Sequence, residues 1–469
     1  MGLVQEKTSV ISSLARVPKG AGAASWGAMG LLWLVYAMDA NSRQMFFMVL
    51  PSITSEFKTS AELTGLLAAC ITIATSLIAV PCMIWADKGG QGWMRKYRHL
   101  PIVMAYTLFT FMTGLNFLTA SLGMLVALQV LSHAFGGAGE SIEVTSLQEW
   151  WSRERRGFAL GLHHTGYPWG TLIGGLAISA LLNAYGPESW RLAFLLFPVP
   201  MIIVFSIYWW FCTKKRYESF VHHVRDAGET VPALSAARGA VVAPKGAFRS
   251  AVRNPNISTI ALVSMLAIVG YFGISFWLPQ YLAFVAHYNF AEAAAYSVLF
   301  TITGGLGQIA WGWISDRLGR KLCLIVVFAW LAIGMYLFKF SSVSLTGLIC
   351  IQLFAGFAMN APYTLLYAIA FDSAKPGTSA IAGSIVNVGI YAGGFGPFVI
   401  GMFIGAGGGF DQVSGYNYAL YFISGLMVVA AFVTAFFTRE TTGWFLKHDK
   451  ALVSKASCNM ATLDNGLAR

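Results

Sequence analysis

The sequence is poor in charged residues. Asp, Glu, Lys and Arg together make up 11% of its 469 residues, whereas an average soluble protein carries about 25%. A soluble domain with so little charge would expose far too much apolar surface. Soluble enzymes, nucleic-acid binders and disordered chains are therefore excluded.

Cysteine and catalytic motifs are scarce as well. Five of the six cysteines lie in or beside long apolar runs, so no disulfide framework is expected. The glycine-rich runs 166–175 and 393–409 have no preceding strand and no following Lys-Ser/Thr pair, and fit close helix contacts instead. The sequence contains no ATPase motif, metal-ligand cluster or catalytic triad, which predicts a protein that is not an enzyme and needs no metal or cofactor.

Apolar residues are abundant. They make up 57% of the chain, and the mean hydropathy is +0.64. A bilayer core requires about 20 apolar residues per helix, and twelve stretches meet that length. We therefore predict an all-α membrane protein with transmembrane helices at 26–50, 63–85, 100–118, 121–148, 157–183, 190–212, 257–282, 292–315, 322–339, 344–371, 379–404 and 416–437.

The basic residues predict the orientation. If the N-terminus is cytoplasmic, 27 of the 31 Lys and Arg residues fall in cytoplasmic segments, as the positive-inside rule requires. Both termini are then cytoplasmic, in a protein of the cell's inner (plasma) membrane, and no cleavable signal is visible in residues 1–25. The net charge of +11 accordingly reflects topology and contact with anionic lipid, not binding to nucleic acid.

The chain divides into two similar halves. Three landmarks recur 228 or 229 residues apart: Pro51 and Pro279, Asp87 and Asp316, Pro168 and Pro397. This duplication predicts an N-terminal tail (1–25), a six-helix bundle (26–212), a central loop (213–256), a second bundle (257–437) and a C-terminal tail (438–469). Two such halves around a central site are typical of alternating-access transporters, and a monomer would be a sufficient transport unit.

A loop after the eighth predicted helix carries a specific motif. Gly312-Trp-Ile-Ser-Asp-Arg-Leu-Gly-Arg-Lys321 resembles the cytoplasmic loop signature of the major facilitator superfamily, and Trp85-Ala-Asp-Lys-Gly-Gly90 is a degenerate first copy. The resemblance implies that superfamily's twelve-helix fold. We expect the motif to latch the cytoplasmic side through arginines paired with acidic helix ends, which makes Asp87, Asp316, Arg317, Arg320, Lys321, Asp372 and Glu143 gating candidates.

The charges inside the predicted spans are the functional candidates. Asp39 and Arg43 are four residues apart, so they share one face of the first helix. A guanidinium can bind a substrate carboxylate with two parallel hydrogen bonds, which predicts an anion receptor. The alternative is an internal salt bridge that only keeps the helix insertable.

Two acidic residues of the fourth helix are expected to differ in role. The repeat offset maps Glu143 onto Asp372, at the end of the tenth helix, so Glu143 fits a partner for the loop motif. Glu140 has no acidic counterpart, because the offset maps it onto Ile369. We therefore expect Glu140 to carry a coupled proton; the alternative is a structural role.

Histidines and polar aromatics complete the candidate site. His163 and His164 could join Glu140 in a proton relay or inner gate, with Asp39 and His133 as further candidates; the alternative is hydrogen-bonded packing. Most polar residues of the C-terminal half are expected to serve packing, and some to line the cavity. The candidate substrate contacts are Arg43, Tyr36, Asn41, Tyr271, Trp277, Gln280, Asn360, Tyr363, Asn387 and Tyr391.

The first half also resembles the anion:cation symporter branch of the superfamily. The similar stretches are Tyr36 to Arg43, Gly137 to Glu140, Trp151 to Gly161 and Trp190 to Phe194. The resemblance implies that Arg43 engages an organic anion and that Glu140 carries the proton. In this sequence Ala-Asn-Ser separates Asp39 from Arg43, whereas that branch usually places the arginine directly after the aspartate.

The main hypothesis is a proton-coupled importer of a small organic anion, most simply a carboxylate. Two alternatives stay open. The protein could export drugs or metabolites in exchange for protons, although a buried arginine argues against cationic drugs. It could also be an uncoupled facilitator of a sugar or other metabolite.

Overall fold

The computed structural model describes residues 21–87, 92–152, 155–232, 246–375 and 379–443. Twenty α-helices follow one another within these ranges. They are α1 (Ala23–Met48), α2 (Leu50–Phe57), α3 (Ala61–Asp87), α4 (Lys96–Thr113), α5 (Leu122–Glu149), α6 (Arg156–His164), α7 (Gly166–Tyr185), α8 (Trp190–Leu196), α9 (Pro198–Phe211), α10 (Lys214–Asp226), α11 (Ala247–Val252), α12 (Pro255–Gln280), α13 (Phe290–Tyr296), α14 (Phe300–Leu318), α15 (Arg320–Leu337), α16 (Leu345–Met359), α17 (Ala361–Ser373), α18 (Ser379–Gly393), α19 (Gly396–Ala406) and α20 (Val413–Phe437).

The predicted all-α class is confirmed. In the described part of the chain, eight helical segments are long and apolar enough to cross a bilayer, among them Leu122–Glu149, Pro255–Val285 and Val413–Phe437. The four remaining predicted spans coincide with α1, α3, α4 and the α6–α7 pair. Several spans are thus two helices in succession, because a proline near the start of the second interrupts the first.

Short local signals set the ends of many helices. The Ser121 hydroxyl accepts a hydrogen bond from the Met124 amide and begins α5. Asn289 and Glu292 form a reciprocal capping box at the start of α13. Gly186 and Gly319 follow α7 and α14 with φ values of +85° and +139°, which only glycine adopts without strain.

The chain separates into two compact units. The first contains residues 1–46 and 74–242. Helices α4 and α5 pack against each other in this unit, and its apolar core includes the completely buried rings of Trp150, Trp151 and Tyr208. In this core α10 packs through Tyr217 and Phe220 against Trp150.

The second unit contains residues 47–73 and 243–469, so the division passes through α1 and α3. The Gln280 side chain donates to the Thr54 hydroxyl at 2.8 Å, and the Thr72 hydroxyl donates to the Gly394 carbonyl at 3.0 Å. The segment from α2 to the middle of α3 therefore packs with the C-terminal helices of this unit.

Candidate functional site

A row of glycines brings α1 against α7. Gly166, Gly170 and Gly174 recur every four residues on α7 and face residues with the same spacing on α1: Trp33, Ala37 and Asn41. Small residues at this spacing let two helices approach closely. The polar face of α1 is thereby held beside α7 and α5.

Arg43 is the centre of an ion-pair cluster in the first unit. Its guanidinium contacts Asp39 Oδ2 at 2.6 Å and Glu140 Oε2 at 2.9 Å. Gly136 of α5 leaves room for Asp39, since a Cβ there would lie 2.9 Å from Asp39 Oδ1. Asp39 is 1% exposed, whereas Glu140 is 32% exposed. The structure thus joins three sequence-predicted residues, with Glu140 as the accessible member.

Tyr36 links this cluster to the histidines of α6. Its hydroxyl donates to Glu140 Oε1 at 3.1 Å. Its ring stacks on His163 with a centroid distance of 4.7 Å and meets the His164 ring edge-on at 5.9 Å. The expected proximity of Glu140 to the His163–His164 pair is therefore present, with Tyr36 between them.

Tyr167 and Gln44 belong to the same cluster, and the sequence did not reveal them. The Gln44 amide donates to the Tyr167 hydroxyl at 2.6 Å. The Arg43 guanidinium lies 5.4 Å from the centroid of the Tyr167 ring, which is within range of a cation–π contact. Their nearness in sequence to other candidates could have revealed them, because Gln44 directly follows Arg43 and Tyr167 lies four residues after His163.

His133 and Asn41 occupy packing positions next to the cluster. His133 Nε2 lies 3.1 Å from the Arg43 carbonyl oxygen, and Nδ1 lies 2.9 Å from the Gln129 carbonyl oxygen. A neutral imidazole can donate to only one of these carbonyls. Asn41 is 2% exposed and packs over Gly174, so it lies in a helix contact and not at an open surface.

Among the described residues, Glu143 does not contact the loop motif that the repeat offset predicted as its partner. Glu143 is completely buried beside His99 of α4, with Nε2 and Oε1 3.5 Å apart. The acid that meets the basic loop is Glu149, which contacts the Arg95 guanidinium at 2.5 Å and the Gly92 amide at 2.8 Å. Glu149 is the last residue of α5, and this terminal position was the available sequence signal.

The loop motif of the second half forms the ion pairs that its residue types suggest. Arg320 contacts Asp372 at 3.0 Å and Asp316 at 3.3 Å. Arg317 lies instead over the Trp313 ring, 3.7 Å from its centroid. In the first half, α3 ends at Asp87. The side chain of Asp87 lies outside the described part of the structure.

Glu440 joins the same motif and was missed from the sequence. Its carboxylate accepts hydrogen bonds from the backbone amides of Arg320, Lys321 and Leu322, at 2.7, 3.1 and 3.4 Å. It therefore caps the N-terminus of α15, where the helix dipole favours an anion. Lys321 takes part through its backbone amide.

The C-terminal candidates separate into two groups. Tyr271 and Tyr363 meet edge-on at 5.9 Å beside a small apolar cavity, and the Tyr367 hydroxyl donates to Asn387 one turn before Tyr391. The others lie in helix contacts. Trp277 donates to the Pro397 carbonyl at 3.0 Å, Gln280 is completely buried against Thr54, and Asn360 packs against Gly304.

A family model described as the Major Facilitator Superfamily matches residues 32–304 and 290–458. The chain belongs to this superfamily. It is therefore a multipass membrane transporter and not an enzyme, as the loop motif and the twelve predicted spans indicated.

Similar proteins agree with this assignment. A glucose-6-phosphate exchanger of Danio rerio is 24% identical over 82% of both chains. A probable 4-methylmuconolactone transporter of Cupriavidus pinatubonensis is 26% identical over 76% of this chain and 82% of its own. The inward-open xylose transporter XylE of E. coli matches 91% of this chain and 99% of its own, with a TM-score of 0.67 and 12% identity, which shows a shared fold.

Proposed function

We propose that this protein imports a small organic anion, a carboxylate, together with protons, across the inner (plasma) membrane with both termini in the cytoplasm. The observation that carries the proposal is the Arg43 cluster, in which one guanidinium is shared by a buried and an accessible carboxylate. A charge at this depth in a span is expensive and is retained chiefly for function.

The cluster supplies a simple means of coupling. While Glu140 is ionised, it occupies Nη1 of Arg43. Protonation of Glu140 weakens that ion pair, and a substrate carboxylate then takes the vacated edge of the guanidinium. Asp39 stays paired with Nη2 at 2.6 Å and keeps Arg43 oriented. Proton and anion therefore favour each other's binding, since coupling between two sites is reciprocal, and this favours the carrier loaded with both.

The relatives support an anionic substrate. One is named for glucose 6-phosphate, and another, from Arabidopsis thaliana, is a putative glycerol-3-phosphate transporter, 24% identical over 64% of this chain. Both of these substrates are organic phosphates, which a guanidinium also binds in bidentate fashion. The name of the first relative makes exchange of organic phosphates the second candidate function.

Uptake into liposomes tests the proposal. Purified protein is reconstituted and supplied with radiolabelled gluconate, succinate or glucose 6-phosphate, with and without an inward proton gradient. We expect a carboxylate to accumulate against its gradient only when the proton gradient is present. Exchange of glucose 6-phosphate without any proton dependence would favour the second candidate.

The Glu140→Gln variant tests the coupling residue. We expect it to exchange labelled for unlabelled substrate while losing uphill accumulation, because the amide cannot release a proton. Glu188→Gln is the matched control, since Glu188 lies exposed in a short 3₁₀ helix between α7 and α8. Continued uphill accumulation by Glu140→Gln would show that another group carries the proton.

A further inference from the structure

A second set of buried polar residues lies beside the Arg43 cluster. It consists of His99 and Tyr106 on α4 and Glu143 on α5, hereafter the α4–α5 triplet. His99 and Glu143 are both completely buried, and Tyr106 is 2% exposed. The Tyr106 hydroxyl lies within electrostatic range of both Asp39 and Glu143, and Glu143 follows Glu140 of the cluster by three residues on α5.

The polar atoms of the triplet are unsatisfied. Within the described ranges, the Tyr106 hydroxyl, both His99 ring nitrogens and both Glu143 carboxylate oxygens have no hydrogen-bond partner of good geometry. The 3.5 Å between His99 and Glu143 is long for a hydrogen bond. Buried polar groups of this kind are normally bonded to protein or to ordered water. Several of them at one place indicate enclosed water molecules that bridge them.

The surroundings of the triplet suit a narrow water file. Phe205 meets His99 edge-on at 5.0 Å, and Ile102 and Ile142 belong to the adjoining apolar cluster. Gly139 contributes no side chain, since a Cβ there would lie 3.9 Å from Glu143 Oε1 and 4.0 Å from His99 Nε2. The surroundings are therefore largely apolar, and the polar atoms of His99 and Glu143 approach each other within them.

The triplet also lies between two charged sites. Glu143 follows Glu140 by three residues on α5, a rise of about 4.5 Å, and precedes Glu149 by a rise of about 9 Å. On α4, Arg95 precedes His99 by one turn and pairs with Glu149. The triplet thus lies between the Arg43 cluster and the ion pair beside the predicted cytoplasmic loop.

We propose that Tyr106, Glu143 and His99, together with enclosed water, conduct the proton between Glu140 and the Arg95–Glu149 end of α4 and α5. The proton leaves the Glu140 carboxyl, is accepted by the Glu143 carboxylate through the Tyr106 hydroxyl or water, and passes to the His99 ring. His99 returns it to water, so Glu140 ends as a carboxylate while each group of the triplet ends in its starting form. This inference rests on the proposed function, because it needs a coupled proton.

The charged groups around the triplet indicate the direction in which the proton passes. Asp39, Arg43 and Glu140 lie at one end, and Arg95 and Glu149 at the other, while Tyr208 of α9 lies beside His99 with ring centroids 6.2 Å apart. A neutral imidazole can accept a proton at one ring nitrogen while it donates another from the second. His99 is therefore the group that can pass a proton toward the charged end.

Three variants test the relay: Glu143→Gln, His99→Gln and Tyr106→Phe. The probe is whichever of radiolabelled gluconate, succinate and glucose 6-phosphate the wild-type protein accumulates most. Its proton-driven accumulation is compared with its exchange at equal pH. We expect accumulation to fall by about tenfold or more in the first two variants, with a smaller loss in Tyr106→Phe and unchanged exchange in all three. His222→Gln and Glu218→Gln, at exposed positions of α10, are the controls.

The outcomes separate the relay from the proposed function. If Glu140→Gln loses accumulation while all three triplet variants retain it, the relay is wrong and the proposed function stands. If wild-type protein accumulates nothing under a proton gradient, both fall. Tyr106→Phe removes a single unsatisfied hydroxyl and should fold, so full accumulation by this variant with a raised unfolding temperature would indicate purely structural packing. Loss of exchange together with accumulation in a folded variant would also contradict a relay.

Discussion

Gly170 of α7 lies so close to Ala37 of α1 that a Cβ on Gly170 would stand 2.4 Å from the Ala37 carbonyl oxygen. The obstructing atoms are backbone, which cannot rotate away as a side chain can. Ala37 directly follows Tyr36 and precedes Arg43 by six residues on α1, so the alignment of the site depends on this contact.

We expect Gly170→Ala to destabilise the protein by about 1–3 kcal/mol, because the added methyl forces two helices apart. Thermal unfolding in detergent measures the change. Gly30→Ala is the control on α1, since nothing lies within 4 Å of a Cβ at that position. An equal unfolding temperature for Gly170→Ala and wild-type protein would contradict the close packing of α1 and α7.

Arg43→Lys should weaken binding of the transported anion by about tenfold or more, because an ammonium cannot form the two parallel hydrogen bonds of a guanidinium. Arg43→Ala should abolish binding. Affinity is measured by ligand-induced thermal shift and by concentration-dependent uptake. Arg225→Lys, at an exposed position of α10, is the control, and unaltered affinity in Arg43→Lys would remove the anion-receptor role.

Glu149→Gln should cost about 3–5 kcal/mol of stability, because it removes the carboxylate that pairs with the buried Arg95 guanidinium. Arg95 is completely buried and Glu149 is 9% exposed. Glu218→Gln is the matched control: its partner Lys214 is 3.8 Å away and both side chains are largely exposed, so the loss should be at most about 1 kcal/mol. Similar unfolding temperatures for the two variants would contradict the prediction that the buried Arg95–Glu149 pair contributes more to stability than the exposed Lys214–Glu218 pair.

Arg320→Gln should slow transport severalfold and leave substrate affinity unchanged. Its contacts with Asp372 and Asp316 must break and reform if the motif acts as a latch, so their loss changes the balance between transport states. Asp372→Asn should have the same effect, and the double variant should add little. Arg317→Gln is the control, since Arg317 packs on Trp313. An equal slowing in that variant would show that loss of any positive charge in the motif slows transport, whether or not it breaks these ion pairs.

Local features of the sequence predicted the parts of the protein that depend on local physics. The length of each apolar run predicted a helix, since every backbone group in lipid must be bonded within the segment. The spacing of Asp39 and Arg43 predicted their ion pair, because residues four apart share a helix face. The cost of a charge inside a span marked Glu140 as a functional candidate, but it did not indicate which residues lie beside it.

Several residues whose partners lie on another helix escaped prediction. His99 follows a basic cluster, Arg95 to Arg98, and its pairing with Glu143 depends on how α4 packs on α5. Trp277 and Gln280 have the composition of cavity residues, yet both are buried in helix contacts. Composition indicates that a side chain can bind a ligand, whereas packing determines which surface it faces.

The sequence by itself determined that the chain is a helical membrane protein of the major facilitator superfamily with rare charges in its spans, because insertion depends on hydrophobicity summed along the chain. The tertiary structure alone decided which of those charges meet across different helices. Arg43 reaches Glu140 because glycines let α1 approach α7 and α5 closely, and Glu143 reaches His99 because α4 packs along α5. Such contacts join residues far apart in sequence, so no local pattern encodes them.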